Sequence, residues 1–114
     1  MPFAGWLQPL IVRQFFRETY PRILITPTAR KHGITDAQIR TVVQHTGLVF
    51  DEPPPYDFTD PDRLLFLGDD QHGTALEVLG LLEEDGELLL VIHAMRLRRR
   101  YRALYIEALP WRVP

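Results

Sequence analysis

The chain has 114 residues, no cysteine, a formal net charge of −2 and 46% hydrophobic residues. This fits one folded domain with an apolar core, and it excludes a disulfide scaffold, a thiolate metal site and a cysteine nucleophile. Residues 1–50 carry six Arg/Lys and two Asp/Glu, residues 51–92 one Arg and twelve Asp/Glu, and residues 93–114 six Arg and one Glu, a pattern that implies either internal pairing or a cationic surface for a polyanion or an acidic partner.

The opening "MPFAGWLQPLIVRQFF" lacks a basic leader and a small-residue cleavage site, and no run is long enough to span a bilayer. The expectation is a soluble, cytoplasmic chain. Residues 7–20 set Leu7, Leu10, Ile11 and Phe15 on one helical stripe, with Arg13 and Arg17 off it. Residues 1–21 are therefore expected to form an N-terminal helical extension. Its stripe would pack on the chain's own core or on a second copy, giving a homodimer. Residues 22–114 are expected to form the single main domain.

"RILIT", 22–26, predicts a short strand. "TPTARKHG" predicts a brief helix capped by Thr26, with Pro27 in its first turn and Gly33 as its stop. "ITDAQI" opens a second helix. Thr35 and Gln38 form a capping box, Ile34 staples onto Ile39, and Ile39, Val42 and Val43 face inward. "LVF", 48–50, is a strand, and the proline- and acid-rich "DEPPPYDFTDPD", 51–62, is a loop. "RLLFLG", "TALEVLGLL" and "ELLLVIHA", separated by "DDQHG" and "EEDG", predict an antiparallel meander. The last run is apolar on both faces, as in an interior strand. A final helix over 94–109 would carry Leu97, Tyr101, Leu104, Tyr105 and Ala108 on one stripe. The sum is α+β: a twisted antiparallel sheet with helices against one face.

The arginines of "HAMRLRRRYRALY" are the most unusual feature. On a helix, Arg96 and Arg100 flank the stripe on one side, Arg98 and Arg102 on the other, and Arg99 points away. Glu107 lies three or four residues from none of them, so no intrahelical pair neutralises them. They form either a solvated face or a phosphate-binding one, with nearby tyrosine rings able to stack on bases. His93 is either hydrogen-bonded into the fold or catalytic. Lys31 and His32 end a helix, where a cation favours the dipole. His45 and His72 read as structural or solvated. No spacing implies a metal or another cofactor. The segment "TARKHGITDAQIRTVVQ" leaves a DNA-binding alternative open, with Gln38, Arg40 and Thr41 as base readers.

From about Ile25 to Leu109 the chain resembles the BrnT-like toxins of bacterial type II toxin–antitoxin modules, within the RelE/ParE toxin superfamily. The carrying motifs are "KHGIT", "DEPPP…DPDRLLFLG" and "VIHAMRLRRRYRALY". The resemblance implies a RelE/ParE-like sheet with N-terminal helices and a C-terminal helix packed on it. It also implies a ribonuclease that works without metal, arrests translation by cutting mRNA, free or on the ribosome, and is neutralised by a cognate antitoxin. In this pattern Lys31 and His32 match the family's Lys-His pair, Arg63 the arginine opening a later strand, and Arg96, Arg99, Arg100 and Arg102 its C-terminal basic positions. The implied catalytic set is His93, Lys31, Arg63, Arg96 and Arg100. The implied RNA-binding set is His32, Arg98, Arg99, Arg102, Tyr101 and Tyr105. Two departures stand out: Met95 replaces a common arginine, and Tyr101 a common glutamate. His93 can then replace lost acid–base capacity. A toxin-fold protein acting only as an interaction module is the alternative.

Overall fold

The computed structural model describes residues 11–14, 20–52 and 62–112. In chain order the strands are β1 (Ile11–Gln14), β2 (Arg22–Ile25), β3 (Leu48–Glu52), β4 (Asp62–Asp69), β5 (Ala75–Glu83) and β6 (Leu88–Arg96). Two α-helices accompany them, α1 (Asp36–His45) and α2 (Arg102–Ala108), with short 3-10 turns at Pro27–Arg30 and Arg99–Tyr101. The five strands β2 to β6 make a mixed sheet, and β1 adds to its β3 edge, giving the order β1-β3-β4-β5-β6-β2.

Local sequence chemistry forms the first half as expected. Thr26 caps the 3-10 turn by accepting from the Ala29 N–H at 3.3 Å. Thr35 and Gln38 close the capping box of α1, at 3.1 Å and 2.8 Å. Gly33 takes the left-handed conformation between the two, with φ of 79°. The β4–β5 turn is closed by the Asp70 carboxylate, which accepts the N–H groups of His72 and Thr74. Gly47 follows α1 where the chain passes the Trp111 carbonyl, and no side chain fits there.

The pleat divides the apolar residues between two cores. On one face α1 covers the sheet, with Ile39, Val42 and Val43 packed among Leu64, Phe66, Val78, Leu89, Val91 and Ala94. On the other, Tyr101 and Ala108 pack with Leu48, Phe50, Leu65 and Leu67, joined by Leu97, Leu104 and Tyr105. The predicted stripe of the last segment is thus the one that is buried.

Five expectations are corrected. Ile11–Gln14 is not helical; it pairs antiparallel with β3. The other residues of the expected N-terminal helix, 7–10 and 15–19, lie outside the described residues. The sheet is not wholly antiparallel, because β2 runs parallel to β6. The helices cover both faces, not one. The loop expected over 51–62 is shorter at both ends, since Asp51–Glu52 belong to β3 and Asp62 to β4, while 53–61 lie outside the described residues. Finally, no helix begins at Ala94: β6 continues to Arg96, opposite Leu76, and the Leu97 N–H donates to the Ala75 carbonyl at 3.0 Å. Pairing with β5 already satisfies the backbone that a helix would have had to satisfy.

Candidate functional site

A cavity of about 190 Å³ opens on the α2 face, lined by Arg63, Glu77, His93, Arg98, Arg100 and Tyr101 over a floor of Leu65 and Leu79. Three strands and the arginine segment contribute to it. Arg63 reaches this face because it alternates with Leu65 and Leu67 along β4, and Glu77 because it pairs with Leu67 across β4 and β5.

His93 arrives by a different device. Leu89 and Val91 point into the α1-side core, so strict alternation would send His93 there as well. The register breaks between Leu79 and Gly80: Gly80 pairs with Val91, but Leu79 pairs with His93, leaving Ile92 as an extra residue. This bulge turns the following residues by one position and aims His93 at the cavity. Gly80 makes room for it, since a Cβ there would lie 2.7 Å from Leu89 Cδ1. Leu89 is fully buried and cannot swing into solvent. Gly80→Ala is expected to cost about 1–3 kcal/mol by overpacking, read as a lowered urea midpoint. A variant as stable as wild type would mean that Leu89 has room to move.

Glu77 organises the site. Its side chain has 0% exposure. Its Oε1 accepts the Arg98 backbone N–H at 2.8 Å. Its Oε2 accepts from Arg98 Nε at 2.9 Å, from Arg98 Nη2 at 2.7 Å, and lies 3.0 Å from His93 Nε2. Burial pushes the Glu77 carboxyl up, but the Arg98 side-chain and backbone hydrogen bonds and the His93 contact together outweigh it and hold the group below the ordinary glutamate range. The carboxylate therefore carries its charge inside the fold. It also fixes the path by which the chain leaves β6 and enters the arginine turn.

The remaining cations divide sharply. The Arg100 guanidinium lies 4.8 Å from the centre of the Tyr101 ring and that of Arg98 lies 5.7 Å away, cation–π distances both. Tyr101 is only 7% exposed, with its ring covered largely by the two guanidinium groups and the core. The Tyr105 hydroxyl donates a hydrogen bond to Asp69 Oδ1 at 2.6 Å, and Arg112 lies over its ring. Both tyrosines of the implied RNA-binding set thus make contacts within the fold. His32 sits edge-on to His93, ring centres 5.8 Å apart, so the His of "KHG" neighbours the site without lining its cavity. Lys31 is not among the cavity's lining residues. Arg96 is on the wrong face: it pairs with Leu76, which belongs to the α1-side core. The implied catalytic set has Lys31 and Arg63 facing Arg96 or Arg100; Arg96 lies on the other face of the sheet, Lys31 does not line the cavity, and Arg63 lines it together with Arg98 and Arg100.

No family model, curated protein or solved structure matches this chain. The resemblance to BrnT-like toxins rests on the sequence motifs alone, and the site must be read from its own geometry.

Ion pairs link the acidic middle to both basic ends, Arg22 with Glu84, Arg98 with Glu77 and Arg112 with Asp69. Among the described residues, Arg96, Arg99, Arg100 and Arg102 are exposed and form no ion pair. Internal pairing therefore accounts for part of the charge pattern and leaves these four arginines outside it. The candidate base readers each have partners within the fold. Gln38 is spent on the capping box and on Asp70, Arg40 donates to the Ile23 carbonyl, and Thr41 donates to the Ala37 carbonyl. Among the described residues, no group of His, Asp and Glu is arranged to hold a metal ion, and no helix is long and apolar enough to cross a membrane. Glu77 was missed in the sequence. Its signal was a single acid inside the apolar run "TALEVLGLL".

Proposed function

We propose that this chain is an endoribonuclease that needs no metal, the toxin component of a toxin–antitoxin pair that inhibits translation. Its substrate is RNA, free or on the ribosome, and its partner is an antitoxin protein. The observation that supports the reading is the meeting of Arg63, His93, Arg98 and Arg100 around one cavity. RNA carries its own nucleophile, so the protein has two tasks: to move a proton and to stabilise charge at phosphorus. His93 takes the proton of a ribose 2′-OH. The 2′-oxygen then bonds to phosphorus as the bond to the 5′-oxygen breaks. The products are a 2′,3′-cyclic phosphate and a 5′-OH, which takes its proton from the histidinium or from water. Guanidinium groups such as Arg100 hold the phosphate oxygens.

One observation favours the second reading, a binding module without catalysis. Glu77 already engages both His93 and Arg98, and that arrangement would also serve structure alone. Induction of the chain without its partner, together with incubation of the purified protein with RNA and with ribosomes, separates the two. Growth arrest and cleaved RNA are expected for wild type. Arg100→Ala should lower both cleavage and binding. Arg99→Ala, exposed and outside the cavity, should leave the maximal rate unchanged and reduce the salt dependence of RNA binding by about one counterion. A wild type that neither slows growth nor cuts RNA ends the ribonuclease reading and leaves the binding module.

A further inference from the structure

We infer that Glu77 is the positioning residue of this site: it keeps the proton of the neutral His93 ring on Nε2 and leaves Nδ1 to accept a proton from substrate. The chemistry of this role rests on the ribonuclease reading; the geometry does not. An ionised carboxylate can only accept hydrogen bonds. Glu77 Oε2 already takes two donors from Arg98, and its approach to His93 Nε2 at 3.0 Å is attractive only if that nitrogen also carries hydrogen. The hydrogen bond on one ring nitrogen then decides what the other can do. The carboxylate is fully buried and clamped by the Arg98 backbone and side chain, so it cannot turn to suit the other tautomer. The Ile92 bulge supplies the second constraint, because it brings His93 to the same face as Glu77. Two independent features, a strand irregularity and a buried acid, therefore fix one imidazole in one orientation. Its side chain remains 23% exposed and lines the open cavity.

Glu77→Leu tests the assignment. Oε2 faces both the Arg98 guanidinium and His93 Nε2, so an amide oxygen in its place would still hold the ring, whereas Leu removes the acceptor. Two-bond proton–nitrogen correlation spectra of the full chain, with the His93 ring in its neutral form, read the tautomer directly. The expected result is Nε2–H alone in wild type and a mixture of Nε2–H and Nδ1–H in the Leu variant. The variant's kcat should fall by on the order of 10-fold with KM nearly unchanged, because a share of the rings then offers no free Nδ1 and the imidazole is no longer held in place. A residue with only a structural role would not produce that combination. A wild-type ring protonated at Nδ1 overturns the inference even if the variant fails to fold, and so does a Leu variant that keeps Nε2–H alone. If the tautomer loosens as expected but the wild type cleaves no RNA, the ribonuclease reading falls and the hold of Glu77 on His93 stands.

Discussion

Arg98→Ala is expected to destabilise the fold by about 3 kcal/mol near neutral pH. That is the lower end of the range for removing one partner of a buried ion pair. The lower end applies because Glu77 would keep a backbone N–H donor and His93, and because Arg98 itself is 42% exposed, so the wild-type pair already leaves one partner largely hydrated. The loss comes mainly from a carboxylate left buried with too few donors. The pH dependence follows from its sign. In wild type the Glu77 carboxyl is held below the ordinary range, so its contribution is complete above the unfolded glutamate value of about 4.3 and is lost as pH falls through the folded value. In the variant burial is no longer outweighed, the carboxyl is pushed up instead, and the group becomes neutral on mild acidification. The stability gap between wild type and variant should therefore be widest near neutral pH and narrow toward pH of about 4. Urea titrations at several pH values measure it. Arg98→Lys should recover part of the loss, keeping the charge without the paired donors. A gap that does not change with pH would mean that Glu77 is not the residue left unsatisfied.

Features written in a few adjacent residues were legible without coordinates. The Thr26 and Thr35 caps, the Gly33 stop and the Asp70 turn each involve groups at most four residues apart, and their geometry is set by the local backbone. The strands of the meander were legible because apolar runs ended at turns. What failed was non-local. "AMRLRRRYRALY" is rich in good helix formers, so propensity extends the helix back to Ala94. Strand pairing with β5 takes Ala94–Arg96 instead. Leu10, Ile11 and Phe15 fit a helical stripe, yet "IVRQ" also suits an edge strand beside β3, and the choice lies with the partner strand.

The site was legible as a set of cations but not as an arrangement. Arg63, His93, Arg98 and Arg100 could be named from the sequence; which face each occupied could not. One extra residue in β6, Ile92, reverses the facing of everything after it, and nothing in "LLLVIHA" marks its place. The same step that brings His93 into the cavity puts Arg96 outside it. Glu77 was invisible for a related reason. A lone acid on a strand normally marks a solvent face, and only the arrival of Arg98 from twenty-one residues away makes burial tolerable.

His93→Ala is expected to lower the RNA cleavage rate by about 10²–10⁴-fold while leaving RNA affinity nearly unchanged. A group that transfers a proton in the transition state contributes about this much, and it contributes little to ground-state binding. The fold should survive, because Glu77 keeps three hydrogen bonds to Arg98 when the imidazole is gone. The site makes the comparison with Arg100→Ala informative. Arg100 has no carboxylate partner among the described residues and lines the same cavity, so its guanidinium is available to phosphate in both ground and transition states. Its removal should raise KM and lower kcat together, whereas removal of His93 should act on kcat alone. Single-turnover cleavage of a short RNA, measured across pH beside equilibrium binding to a 2′-deoxy analogue, reads each quantity separately. Equal losses in rate and affinity for His93→Ala would recast His93 as a binding residue and leave the proton to another group.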